Sequence, residues 1–189
     1  MAEPLIEKIL SDHLDVVKSI TEESLVALRE MSNQVIHSLS NGGKVILCGN
    51  GGSAADAQHF SAELLGRFVK ERRALAAIAL TTDTSTLTAI ANDYSYNYVF
   101  ERQVEALANR GDIFFGISTS GNSENVLNAA IKAKKLGCKC FGFLGGDGGS
   151  MLESCDLTFI VPSKNTARIQ EIHLIGYHVI CELVDLNFN

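Results

Sequence analysis

The chain has 189 residues, 46% of them apolar, with 22 acidic side chains against 16 basic ones and a formal charge of −6. This length can bury one full core without disulfides or a structural metal, and the acidic balance argues against broad nucleic-acid binding. No stretch approaches the roughly 18 apolar residues of a membrane span, and an odd set of cysteines (Cys48, Cys138, Cys140, Cys155 and Cys181) reads as reduced core thiols of a cytoplasmic protein.

Taken in chain order, Met1-Ala2-Glu3-Pro4 carries no basic region or apolar run of a leader. Leu5, Ile6, Ile9, Leu10, Leu14 and Val17, then Leu25, Leu28, Met31, Val35, Ile36 and Leu39, recur at helical spacing. The spacing predicts two helices over 5–40, broken near Thr21 and stopped at Gly42-Gly43. Short apolar runs at 44–48, 76–80, 113–117, 140–144 and 157–161 alternate with helical stretches, the pattern of a five-stranded parallel sheet wrapped by helices. Ala167 to Leu186 reads as one long helix, apolar over more than one face, which implies contact with further subunits. The chain is therefore expected to be a single α/β domain: helices over 1–41, core over 42–165, terminal helix over 166–189.

Two strand-to-helix turns carry the polar chemistry. The strand Ile113 to Ile117 empties into Ser118-Thr119-Ser120-Gly121-Asn122-Ser123 ahead of a helix over 125–136, and such a turn offers hydroxyls, backbone N–H groups and a positive dipole end to an anion, most naturally phosphate. An ordinary Ser-rich cap is the simpler alternative. A second turn of the same design, Gly49-Asn50-Gly51-Gly52-Ser53 before the helix 54–65, favours the ligand reading, with Ser53 and Asp56 as a capping box. A dinucleotide site is a poor fit, because the glycine spacing is incomplete and no acidic residue ends a strand about 20 residues on.

Two pairs of side chains could do proton or metal chemistry. His59 and Glu63 stand at i,i+4, about 40° apart on one helix face. Gln170 and His178 interrupt the apolar terminal helix, about 12 Å apart along its axis. His173 reads as a core or surface histidine. Arg67 could add a positive charge beside Glu63, whereas Lys70, Arg72 and Arg73 read as a solvated loop.

The runs Cys48 to Phe60, Ala91-Asn92-Asp93-Tyr94, Gly116 to Ser123 and Arg168 to His173 resemble the sugar isomerase (SIS) family, and within it the enzymes that isomerise a heptose phosphate. The resemblance covers nearly the whole chain. It implies conversion of sedoheptulose 7-phosphate to D-glycero-D-manno-heptose 7-phosphate through an enediol, for bacterial lipopolysaccharide precursors. It further implies that Asn50, Gly51, Gly52, Ser53, Asn92, Asp93 and Gln170 contact the sugar, and that Ser118, Thr119, Ser120 and Ser123 hold the phosphate. Glu63 and His178 would be the base and acid, and His59, Glu63, Gln170 and His178 the ligands of a zinc ion. A homotetramer with sites at subunit interfaces is implied as well. The 12 Å along the terminal helix leads us to expect His178 of one chain opposite His59, Glu63 and Gln170 of another. Two alternatives stay open: isomerisation of another sugar phosphate, and a non-catalytic scaffold that binds the replication initiator DnaA, which would lack the Glu63–His178 pair.

Overall fold

A computed structural model describes residues 2–188. Helices α1 (Ala2–Lys18) and α2 (Glu22–Ser40) come first. They part at Thr21, whose hydroxyl accepts the Ser24 N–H at 3.2 Å and so caps α2. Strands β1 (Val45–Gly49), β2 (Ala77–Ala79), β3 (Ile113–Ser118), β4 (Lys139–Gly145) and β5 (Leu157–Val161) form one parallel sheet in the order β2-β1-β3-β4-β5. Helices α3 (Gly52–Leu65), α4 (Thr84–Asp93), α5 (Glu101–Leu107), α6 (Glu124–Lys135) and α7 (Thr166–Asp185) fill the connections. The expected five-stranded α/β architecture is present, with β2 trimmed to three residues at the sheet edge.

Alternation along the strands builds two cores. Val45, Leu47, Ile113, Phe115, Phe141 and Phe143 face α2, α3 and α7, while Ile46, Cys48, Phe114, Cys140 and Leu144 face α5 and α6. On the first face Phe60, Phe115, Phe143 and Phe159 run edge to face with centroids 5.2, 5.6 and 5.3 Å apart, a preferred aromatic geometry. The cysteines are all free and four are buried, Cys155 being only half-covered. The order in which successive strands are added reverses between β1 and β3, and a crevice opens at such a switch point beyond the carboxyl ends of the strands. Both polar turns leave the sheet there, since Gly49 pairs in register with Ile117.

Arg72 corrects the solvated-loop expectation. Its side chain is fully buried: Nε donates to Asp185 Oδ1 at 2.7 Å, Nη2 to the Glu63 carbonyl at 2.7 Å and Nη1 to the Leu64 carbonyl at 2.9 Å. The carboxyl end of α3 is thereby tied to the end of α7. Among the described residues Arg67 forms an exposed pair with Glu71 at 3.7 Å.

His173 is a core residue, with Nε2 donating to the Leu144 carbonyl at 3.1 Å and Nδ1 buried without a partner among the described residues. Burial pulls its pKa down to about 4 from 6.5. The unfolded chain therefore takes up a proton below pH 6.5 that the folded chain refuses until about pH 4. Stability is intact above that window and falls through it by about 3 kcal/mol in total. In His173→Gln this acid-side loss should be absent, so melting temperatures of variant and parent should converge as pH drops from 7 to 4. Parallel curves would show that the ring is not held neutral.

Candidate active site

The hydroxyl turn after β3 is closely built. Ser118 Oγ lies 3.0 Å from Ser123 Oγ and 3.5 Å from Ser120 Oγ, and Ser120 Oγ accepts the Asn122 N–H at 3.1 Å. Gly121, at φ +65°, makes the bend; a side chain there would drive into the Gly148 carbonyl. Ser123 is the N-cap of α6, yet its hydroxyl makes no cap bond, which leaves it available to a ligand at the helix N-terminus. Thr119 and Ser120 also line a cavity of about 560 Å³ shared with Gly146, Asp147, Lys164 and Thr166. Lys164 is a cation that the sequence reasoning passed over.

The two turns are stitched together by amides. Asn50 and Asn125 exchange side-chain hydrogen bonds, 2.9 Å each way, and the Tyr96 hydroxyl donates to Asn50 Oδ1 at 3.0 Å. The expected Ser53–Asp56 capping box is absent. Gly51, at φ +56°, is the N-cap of α3 and no side chain closes that end. Ser53 is buried behind the turn, and Asp56 instead keeps a buried Oδ2 with no partner among the described residues. Burial raises the Asp56 pKa to about 6, against a smaller opposing pull from His59. Asn92 and Asp93 end α4, exposed and bonded to each other at 2.9 Å, while Tyr96 just beyond them makes the contact to Asn50.

Helices α3 and α7 lie side by side and parallel, with the Gln170 amide packed on Gly52 and the Tyr177 hydroxyl on His59. The structure thus brings His59, Glu63 and His178 of a single chain together, their donor atoms all within 4.8 Å of one another. His59 Nε2 lies 2.9 Å from Glu63 Oε1, and the His59 and His178 rings meet edge to face at 5.1 Å. His178 Nε2 is buried and has no hydrogen-bond partner among the described residues. Burial first, then the neighbouring His59, lower the His178 pKa, with Glu63 pulling the other way; the ring is held neutral with a lone pair to offer. An orphaned imidazole nitrogen beside a second imidazole and a carboxylate fits a divalent transition metal.

This geometry corrects the expectation that His178 comes from a second chain. The 12 Å spacing separates Gln170 from His178 along α7, and it does not separate His178 from α3, which runs alongside. Gln170 is the residue left apart, about two to three turns away against Gly52. Mixing inactive Glu63→Gln and His178→Ala subunits should accordingly restore no activity, because every cluster would lack one group. Recovery on mixing would show that the pair is assembled across chains.

Sequence reasoning missed Tyr96, Asn125 and Tyr177. A phenol next to a histidine in the largely apolar middle of α7 was the one local signal for Tyr177. The polar contacts of Tyr96 and Asn125 bridge distant segments and leave no such trace.

A family model described as SIS domain matches residues 10–145. The chain is 54% identical to the phosphoheptose isomerase of Aliarcobacter butzleri (strain RM4018), over 98% of this chain and 97% of that one. It is 52% identical to the phosphoheptose isomerase of Helicobacter pylori (strain P12), over 100% and 98%. Among solved structures, phosphoheptose isomerase from Neisseria gonorrhoeae matches with a TM-score of 0.93 at 39% identity, covering 98% of this chain and 100% of that one. A phosphoheptose isomerase from Francisella tularensis matches at 0.91 and 37%, covering 98% and 99%. A His–Glu–His cluster on two parallel helices, a hydroxyl turn at the switch point and full-length similarity converge: the chain belongs to the SIS domain family and groups with its phosphoheptose isomerases.

Proposed function

We propose that the chain interconverts sedoheptulose 7-phosphate and D-glycero-D-manno-heptose 7-phosphate in the cytoplasm, supplying heptose for lipopolysaccharide. The observation that carries this reading is the Glu63–His178–His59 cluster standing on the helices that flank a hydroxyl-lined anion turn. Moving a carbonyl from C2 to C1 requires a proton to leave C1 and one to arrive at C2 by way of a cis-enediol. The Glu63 carboxylate relays that proton, and His178 exchanges protons with the sugar oxygens. Ser118, Thr119, Ser120 and Ser123 grip the phosphate and so hold the reacting carbons in place. Asn50, Gly51, Gly52, Ser53, Asn92, Asp93 and Gln170 line the sugar. His59, Glu63 and His178 would hold a divalent ion, with zinc favoured by the donor set, and the ion would stabilise negative charge developing on the sugar oxygens. Gln170 stays with the sugar turn.

Assembly into a homotetramer, with sites at its interfaces, is part of the same proposal. Leu5, Ile6, Leu10 and Leu14 of α1 are exposed, as are Leu174, Ile175 and Val179, which rim His178 on α7. A non-catalytic scaffold would have no need of an acid-base pair. The reading is tested by incubating purified protein with sedoheptulose 7-phosphate and following the aldose product in a coupled assay; no product would overturn it. In the double variant Ser120→Ala/Ser123→Ala, binding of phosphorylated sugar should weaken by about 1.5–3 kcal/mol per hydroxyl bonded to the charged group, with little change in melting temperature. Unchanged affinity would move the phosphate elsewhere.

A further inference from the structure

Tyr177 is buried in α7 and stacked on Phe60 at 5.3 Å and 14°, so its ring has one place to sit. Its hydroxyl lies 2.9 Å from His59 Nδ1, while the other nitrogen of that imidazole lies 2.9 Å from Glu63 Oε1. Glu63 as a carboxylate only accepts, so Nε2 carries the ring proton and the tyrosine donates to Nδ1. One turn toward the N-terminus of α3, Asp56 keeps a buried carboxylate oxygen without a partner among the described residues. Asp56 is also close enough to Tyr177 that its charge, after burial, helps raise the phenol pKa and keep the hydroxyl protonated.

We propose that Tyr177 is a positioning residue for His59: its hydroxyl fixes Nδ1 and thereby aims Nε2 at Glu63 and His178, with Asp56 as the acceptor the hydroxyl turns to when Nδ1 must donate. The inference rests on the metal reading of the cluster only for its second half. When a divalent ion is bound at Nε2, the imidazole keeps one proton, now on Nδ1. The bond to Tyr177 then reverses, the phenol oxygen accepts, and the phenol keeps its own proton and gives that hydrogen bond to Asp56. Imidazole ligands are commonly held this way through the nitrogen away from the metal, and loss of such a support costs about 10–100-fold in metal affinity. The same switch gives the orphaned Asp56 oxygen a partner, which no other contact on α3 does.

The test uses two measurements on the full-length protein. Nitrogen-15 NMR of the histidine rings, in metal-free protein near pH 8 with His59 identified by His59→Asn, should show His59 almost wholly protonated at Nε2. In Tyr177→Phe, which keeps the stack on Phe60, Glu63 still holds the proton on Nε2, but Nδ1 loses its donor and its resonance should move clearly downfield; an unchanged Nδ1 shift overturns the assignment whatever the protein does with zinc. Zinc affinity, measured by chelator competition, should weaken about 10–100-fold in both Tyr177→Phe and Asp56→Ala, with only Tyr177→Phe moving the metal-free Nδ1 resonance. Equal zinc affinity in Asp56→Ala and the parent would remove Asp56 from the switch. Should the parent not bind zinc at all, the metal reading falls and the Nδ1 shift still decides the role of Tyr177.

Discussion

Glu63→Gln should lower kcat by about 100-fold or more while KM for the sugar phosphate changes little. The amide preserves volume and still offers an oxygen to His59 Nε2, now 2.9 Å from Glu63 Oε1, so the cluster keeps its shape and loses its base. Hydrogen exchange between C1 of the sugar and deuterated solvent should slow by the same factor, because both observations report one proton-abstraction step. A melting temperature within a few degrees of the parent would exclude misfolding as the cause. Turnover within a few-fold of the parent would mean that another group removes the proton.

The second large effect concerns stability. Arg72 and Asp185 are 0% and 2% exposed at their side chains and 2.7 Å apart, and Asp185 Oδ2 also accepts the Val69 and Lys70 N–H groups at 2.8 and 3.0 Å. Burial by itself would raise the Asp185 pKa, but those two backbone donors and the guanidinium together hold it below the ordinary value. Removing one partner leaves a buried, uncompensated charge, so Asp185→Ala should cost about 3–5 kcal/mol. For a chain of this length that corresponds to a fall in melting temperature of about 6–20 °C. Replacing both partners by apolar residues, as in Arg72→Met/Asp185→Leu, should recover part of the loss. A double variant as unstable as the single one would show that the backbone bonds, and not the stranded arginine, dominate. Because Arg72 also bonds the Glu63 carbonyl, activity in Asp185→Ala should fall before the protein melts.

Much of this molecule was legible because the determining signals are local. Apolar runs of strand length, the helix break near Thr21 and the i,i+4 pair His59–Glu63 all act over a few residues, and the elements they predict are present. What was not legible depends on partners far along the chain. Arg72 looks like one cation in a charged loop until Asp185, 113 residues later, is seen beside it. Asp56 looks like half of a capping box until Gly51 takes the cap. The placement of His178 was misjudged for a related reason: spacing within α7 is readable from sequence, whereas the parallel packing of α7 on α3 is set by the sheet order.

The division of labour between helices and turns has a consequence for how this protein could change. The groups we assign to proton transfer stand on α3 and α7, whose positions are locked by the aromatic layer beneath them and by the Arg72–Asp185 tie. The groups we assign to the sugar phosphate sit on the turns after β1 and β3, where a substitution alters one contact without shifting a helix. Reaction type and substrate preference are therefore separable traits in this fold: altered turns could accept a shorter or differently branched sugar phosphate while the same carboxylate and imidazole carry out the same proton transfer.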